Sequence, residues 1–354
     1  FSYFKPFRFL LNEPFTTAWA EYSDDIPTEA KARRQLWAQK FASDTVTTDY
    51  YAAIGQEDED YVFALETLES VYLATKDWAK SADASTELIS LSPNDPARYR
   101  NRGRAYAALN RPEDAINDLS RAVLLGADDA RNYAGRAAVY AQAEDYAAAL
   151  ADLETAIRLD SNFVGALSLR GYLSVLTGET VSGFEDLDQA IKLSPFSHDA
   201  YFKRALAHVA GGRLSQALED MDRAIAWAPI DYEYLHQRGK VRFDLEEYEG
   251  ALADFESSIG ISGKPGPIYP LHADSFLESG RTQMMLGDSD AAAEAARSSI
   301  AVIEAGSTSP EWEFFQSTIN DRLADAHQLL GDILTRSGDN AEAEKEYRTA
   351  RSLR

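Results

Sequence analysis

Five arginines stand at equal intervals, Arg102, Arg136, Arg170, Arg204 and Arg238, and an aspartate follows each after one constant gap: Asp118, Asp152, Asp186, Asp220 and Asp254. A guanidinium and a carboxylate can share two parallel hydrogen bonds, which is holding chemistry and not bond-making chemistry. The residue types that make and break bonds are scattered. His198, His208, His236, His272 and His327 follow no common spacing, and the chain has no Cys. Neither H-E-x-x-H nor G-x-S-x-G occurs, and ISGKPG lacks the spacing and the Ser/Thr of a P-loop. Asp and Glu recur as helix-surface charges without metal-loop spacing. The expectation is a non-enzyme with no metal and no cofactor.

The interval of the arginines is the interval of the whole chain. YRNRGRAYAALNRPEDAINDL (99–119), YAGRAAVYAQAEDYAAALADL (133–153), LSLRGYLSVLTGETVSGFEDL (167–187), YFKRALAHVAGGRLSQALEDM (201–221) and LHQRGKVRFDLEEYEGALADF (235–255) align at steps of 34 residues without a gap. Repeats therefore start at Val62, Pro96, Ala130, Val164, His198 and Tyr232, and two more start after breaks at Ala273 and Ala324, eight in all. Apolar residues within a repeat recur at helical spacing. A first helix covers about positions 2–14, a turn falls near 15–17 on Asn110, Gly178, Gly212, Gly287 or Gly338, and a second helix covers about 18–30. Pro93, Pro195 and Pro229 stand where second helices stop. Two helices this short cannot bury their apolar faces alone; stacked on neighbours they can. Positions 8 and 20 are small almost throughout (Gly103 with Ala115, Gly171 with Gly183), with Glu69 the exception.

In a hairpin turning near position 16, positions 7 and 23 are level on facing helices. Arg occupies 7 and Asp occupies 23 in the same five repeats. The other three carry Leu68 with Ala84, Ser279 with Ala295 and Leu330 with Glu346. The co-occurrence predicts five structural ion pairs, one inside each hairpin. The competing reading, that these arginines point into a groove to grip an acidic partner, leaves the aspartate column unexplained.

The pattern resembles the tetratricopeptide repeat over about residues 62–354, best at Tyr99, Gly103, Tyr106, Ala115 and Ala122. Departures are Glu69 at position 8 and Ser174, His208, Arg242, Gln283 and Leu334 where the family has a tyrosine. The resemblance implies an all-α, right-handed superhelical solenoid of about eight helix-turn-helix units, with a concave face built from the first helices. It implies a partner groove at positions 2, 5, 9, 12 and 13. Ala134, Ala138, Ala141, Ser168, Tyr172, Val175, Phe202, Leu206 and Val209 would form an apolar trough, with Arg100, Arg104 and Arg131 on one rim and His236, Lys240 and Asp244 on the other. An apolar strip with a polar rim marks a contact surface, and a peptide or helix would fit it. The carboxylate clamp of some family members is not carried over, because Gly135 stands at position 6 after Arg100 and Arg104.

Residues 1–61 read as an irregular segment: an aromatic arm carrying Phe1, Tyr3, Phe4, Phe7 and Phe9, broken by Pro6 and Pro14, then a capping helix over 27–42. Residues 62–265 read as six contiguous repeats and 266–354 as two more with insertions. Ser309 and Pro310 open a long helix ending near Arg336. The last helix shows a basic stripe, Lys345, Arg348, Arg351 and Arg354.

A net charge of −23 argues against a nucleic-acid partner, and no apolar run is long enough to cross a membrane. The sequence opens on Phe1 instead of a methionine and carries no Cys, which leans towards an exported protein. The expected function is a protein-binding scaffold. The alternatives are a subunit of a larger or head-to-tail assembly docking through the Phe-rich arm, and an accessory region of an enzyme.

Overall fold

The computed structural model describes residues 59–75, 77–262, 270–307 and 316–354. Two compact parts divide the chain, Phe1–Ala64 and Leu65–Arg354. The boundary falls inside the opening helix, and the hairpins belong to the second part. The aromatic arm, the 27–42 helix, the loop at 263–269 and the pair Ser309 and Pro310 lie outside the described residues.

Every described element is a helix, and the sixteen helices alternate as first and second arms of eight hairpins. They are α1 (Glu59–Thr75) with α2 (Trp78–Leu91), α3 (Pro96–Ala108) with α4 (Pro112–Leu125), and α5 (Ala130–Gln142) with α6 (Tyr146–Leu159). Next come α7 (Val164–Leu176) with α8 (Thr180–Leu193), α9 (His198–Ala210) with α10 (Leu214–Trp227), and α11 (Tyr232–Asp244) with α12 (Tyr248–Ser262). The last four are α13 (Pro270–Leu286) with α14 (Ser289–Ser307) and α15 (Gln316–Ser337) with α16 (Asn340–Leu353). The array is the expected all-α solenoid.

Local sequence sets the ends. Asp95, Asp129, Ser197 and Asp231 cap first helices by accepting backbone N–H bonds, and Asp77, Asp145 and Asp339 cap second helices. A positive φ recurs at position 15 of the hairpins. Gly178, Gly212, Gly287 and Gly338 take it at 100°, 69°, 88° and 86°, and Asn110, Glu144 and Glu246 take it at 57°, 60° and 62°. Glycine and asparagine tolerate that region; the two glutamates are held there by the hairpins around them.

The hairpins close through the small columns. A Cβ added at Gly171 would lie 2.6 Å from the carbonyl oxygen of Gly183, and one at Gly103 would lie 2.7 Å from Leu119 Cγ. Position 24 fills the space that the small residues leave: Leu119, Leu153, Leu187, Met221 and Phe255 are all fully buried. Each contributes about 1.5–3 kcal/mol. Repeat one inverts the exchange, placing Glu69 at position 8 and Ser85 at position 24, both buried.

Candidate functional site

The five arginines lie between their own second helix and the one before it. Nε and Nη2 of each donate to the two oxygens of the aspartate at position 23: Arg102 to Asp118 at 2.6 and 2.8 Å, and Arg136 to Asp152 at 2.7 and 2.8 Å. Arg170 binds Asp186 at 2.6 and 2.8 Å, Arg204 binds Asp220 at 2.7 Å twice, and Arg238 binds Asp254 at 2.9 and 2.5 Å. The arginine side chains are 16–29% exposed and the aspartates 4–13%. These are bidentate, largely desolvated pairs. The hydrogen bond to the aspartate raises the pKa of Arg102, Arg136, Arg170 and Arg204 against the cost of burial. For Arg238 burial is the largest influence and lowers the pKa; Asp254 and Asp222 together outweigh it, so the net shift is upward.

The arginines also make a third contact, which the spacing alone does not suggest. Nη1 reaches back sixteen residues to position 25 of the preceding repeat: Arg102 to Thr86 Oγ1 and Arg136 to Ser120 Oγ, each at 3.2 Å, and Arg204 to Asp188 and Arg238 to Asp222, each at 2.7 Å. Glu154 holds the same place behind Arg170 and acts on it through charge. The arginines therefore tie neighbouring hairpins together as well as closing their own. The signal was present in the sequence, since Thr86, Ser120, Glu154, Asp188 and Asp222 can all accept a hydrogen bond. Position 11 serves the same ladder. Tyr106 and Tyr140 face guanidinium groups at 5.7 and 5.8 Å, and Arg242, in place of a tyrosine, donates to Asp254 at 2.8 Å.

Glu69 accepts from Ser85 at 2.5 Å and from Asn101 at 2.8 Å, with Arg98 at 3.5 Å. In repeat eight, His327 Nδ1 meets Glu346 at 2.5 Å.

Several expected groove residues belong to the core. Val175, Phe202 and His236 are 9%, 5% and 4% exposed, and Ser168 is fully buried. Val175 packs with Leu187 and Ala207. Phe202 stacks on Tyr234 of the next first helix at 4.2 Å, and His236 bonds Ser275 of α13 at 2.9 Å. First helices of successive hairpins lie against each other, so the neighbour covers Ser168, Val175, Phe202 and His236. Arg100 is likewise no free rim charge: it donates to Asn132 Oδ1 at 2.7 Å and Asp129 at 3.2 Å. Fully buried Asn132 in turn donates to the carbonyls of Ala122 and Gly126 at the end of α4. Still open on this side are Arg104, Ala138 and Lys240, with Tyr172, Leu206 and Val209 partly so. Burial raises the pKa of Tyr172.

The basic stripe of α16 is neutralised locally. Lys345 pairs with Glu342, Arg348 and Arg351 with Glu344, and Arg354 with Asp325. Unforeseen was an apolar edge at the ends of α8 and α10. Phe196, Trp227 and Ile230 are 66%, 52% and 78% exposed, and the first two meet edge to face at 4.8 Å. The strings LSPF and WAPI, with large apolar side chains in turns, carried that signal.

His236 and Ser275 form a hydroxyl–imidazole pair of the kind that activates a nucleophile. Here both side chains are buried, and the hydroxyl is shared with Ser258 and the Leu271 carbonyl. It is a polar junction between repeats six and seven. Among the described residues no group of His, Asp and Glu could hold a metal ion, and no helix is long and apolar enough to cross a membrane.

One tetratricopeptide-repeat model matches residues 100–162 and 185–231, and another matches 324–354. These matches and the eight hairpins in a row show that the chain carries tetratricopeptide repeats, a repeat type of protein-interaction scaffolds. Two UPF0162 proteins of Xylella fastidiosa, strains Temecula1 and 9a5c, are 39% identical over 61 residues, 17% of this chain. The chain spans 22% of those relatives. Among solved structures, the APC/C hetero-tetramer Cut9–Hcn1 matches with a TM-score of 0.59 at 16% identity, over 92% of this chain and 57% of that one. The human IFIT1 dimer with PPP-AAAA matches at 0.55 and 13% identity, over 92% of this chain and 80% of that one. At such identities the likeness is one of fold.

Proposed function

We propose that the array is a non-catalytic scaffold that holds a peptide or helix of a protein partner along the open side of its first helices. The observation that carries this reading is the row of incompletely buried apolar side chains there, Ala138, Tyr172, Leu206 and Val209, in a chain otherwise well supplied with charge to cover its surface. Affinity purification from the source extract, with mass spectrometry of the bound proteins, tests it. A partner recovered with the wild-type chain should be lost with Leu206→Glu at an unchanged Tm. A partner that Leu206→Glu retains would contradict the reading.

The edge formed by Phe196, Trp227 and Ile230 favours a second reading, a subunit of a larger assembly. Sedimentation velocity of the wild-type chain and Trp227→Glu tests self-assembly through that edge. Oligomers that dissociate on substitution support it, and a monomer throughout contradicts it.

A further inference from the structure

Position 9 opens to solvent in repeats two to six and reads Arg104, Ala138, Tyr172, Leu206, Lys240: a cation, three apolar residues, a cation. Arg104, Ala138 and Lys240 are exposed; Tyr172 and Leu206 are partly buried. The helices carrying them are successive neighbours. Arg100 of α3 bonds Asn132 of α5, Ser168 of α7 approaches Asp199 of α9 at 3.5 Å, and Phe202 of α9 stacks on Tyr234 of α11.

The two end cations differ from the ladder arginines. Neither Arg104 nor Lys240 makes a hydrogen bond or ion pair among the described residues. Arg104 acts by charge on Arg100, which is itself engaged with Asp129 and Asn132. Lys240 acts by charge on Glu278, which Arg281 already bonds at 2.7 Å, and exposed Asp244 stands one helical turn further along α11 without bonding it. In a chain of net charge −23, two unpaired cations on one face are places where an incoming carboxylate is attracted and not repelled. Neighbouring helices pack roughly 8–10 Å apart. Four steps therefore cover roughly 30–40 Å, or about ten to twelve residues of extended chain.

Resting on the groove reading above, we infer that the partner segment has an apolar middle and an acidic residue at each end, bound extended so that its ends meet Arg104 and Lys240 while its middle lies on Ala138, Tyr172 and Leu206. Charge complementarity selects this occupant over a basic or uniformly apolar one.

Selection of a random-peptide display library on the full chain tests it, with peptides long enough to span the column. Peptides enriched on the wild-type chain should carry Asp or Glu on both sides of an apolar stretch. They should bind the Arg104→Glu/Lys240→Glu variant at least about tenfold more weakly, and selection on that variant should enrich Lys or Arg at the same places. Circular dichroism melts confirm that each variant is folded. If enriched peptides lack the terminal acids, or bind the charge-reversed chain equally while Leu206→Glu abolishes binding, the charge inference is overturned and the groove reading stands. If Leu206→Glu also leaves binding intact, or nothing is enriched, both are overturned.

Discussion

Repeats two to six and repeats one, seven and eight fold into the same hairpin but solve its interior differently. In the middle five, a guanidinium at position 7 closes on a carboxylate at position 23, and four of the five also bond the repeat behind. Repeat one lacks both partners and fills the small–large gap between positions 8 and 24 with Glu69 and Ser85, held by Asn101. Repeat seven has Ser279 and Ala295 at positions 7 and 23, both buried, and repeat eight closes His327 on Glu346. The hairpin therefore does not require the arginine. What the middle repeats have in common is a set of links in register with the repeat period. A charge pair of this kind need not add net stability over an apolar pair, yet it penalises any shift that parts it.

The largest effect should come from breaking the middle solution at its most connected point. Asp254 accepts from both Arg238 and Arg242 and is 3% exposed. Asp254→Ala strands two cations and should cost about 3–5 kcal/mol in urea titrations. The corresponding change in repeat seven is already native, since Ala295 stands there with no arginine to strand.

Close approach offers a second contrast. Gly171→Ala drives a Cβ into the backbone of Gly183, which cannot step aside, and should cost about 2–3 kcal/mol. Gly331→Ala meets the ring of Tyr347, a side chain that can rotate away, and should cost clearly less in the same assay.

The junction of repeats six and seven adds a pH dependence. Burial, with Lys240 nearby, lowers His236 to about 4. The unfolded chain, with an ordinary imidazole near 6.5, then binds more protons between those values, so stability falls as pH falls from about 6.5 to about 4. The slope is about 1.4 kcal/mol per pH unit, or about 2 kcal/mol lost by pH 5. His236→Gln should make that limb of the stability–pH curve shallower, the remaining slope belonging to His208 and His272, which burial also lowers.

The smallest effect sits in the turns. Glu144→Gly and Glu246→Gly relieve a positive φ and should each raise stability by about 0.5–1 kcal/mol, whereas Gly178→Ala should lower it. Differential scanning calorimetry separates the signs.

The repeat and its ladder were legible because two columns changed together within one chain: wherever position 7 lost its arginine, position 23 lost its aspartate. The back-reaching bond was not read, because Thr86, Ser120, Glu154, Asp188 and Asp222 differ in type and resemble ordinary surface residues. The groove was over-read at Val175 and Phe202 in its trough and at His236 on its rim. Spacing places a residue on a helix face, but only the angle between successive hairpins decides whether the neighbour covers it. Lys345, Arg348, Arg351 and Arg354 read as a bare stripe because their acids lie three to seven residues away or on another helix.

The central claim, that each arginine is matched to its own aspartate, is tested most directly by a double-mutant cycle at Arg170 and Asp186. Arg170→Leu alone should lose about 2–3 kcal/mol, and adding Asp186→Ala should restore much of it, because the stranded carboxylate is then gone. A double variant no more stable than the single one would mean that the two side chains do not depend on each other, and the ladder would lose its meaning.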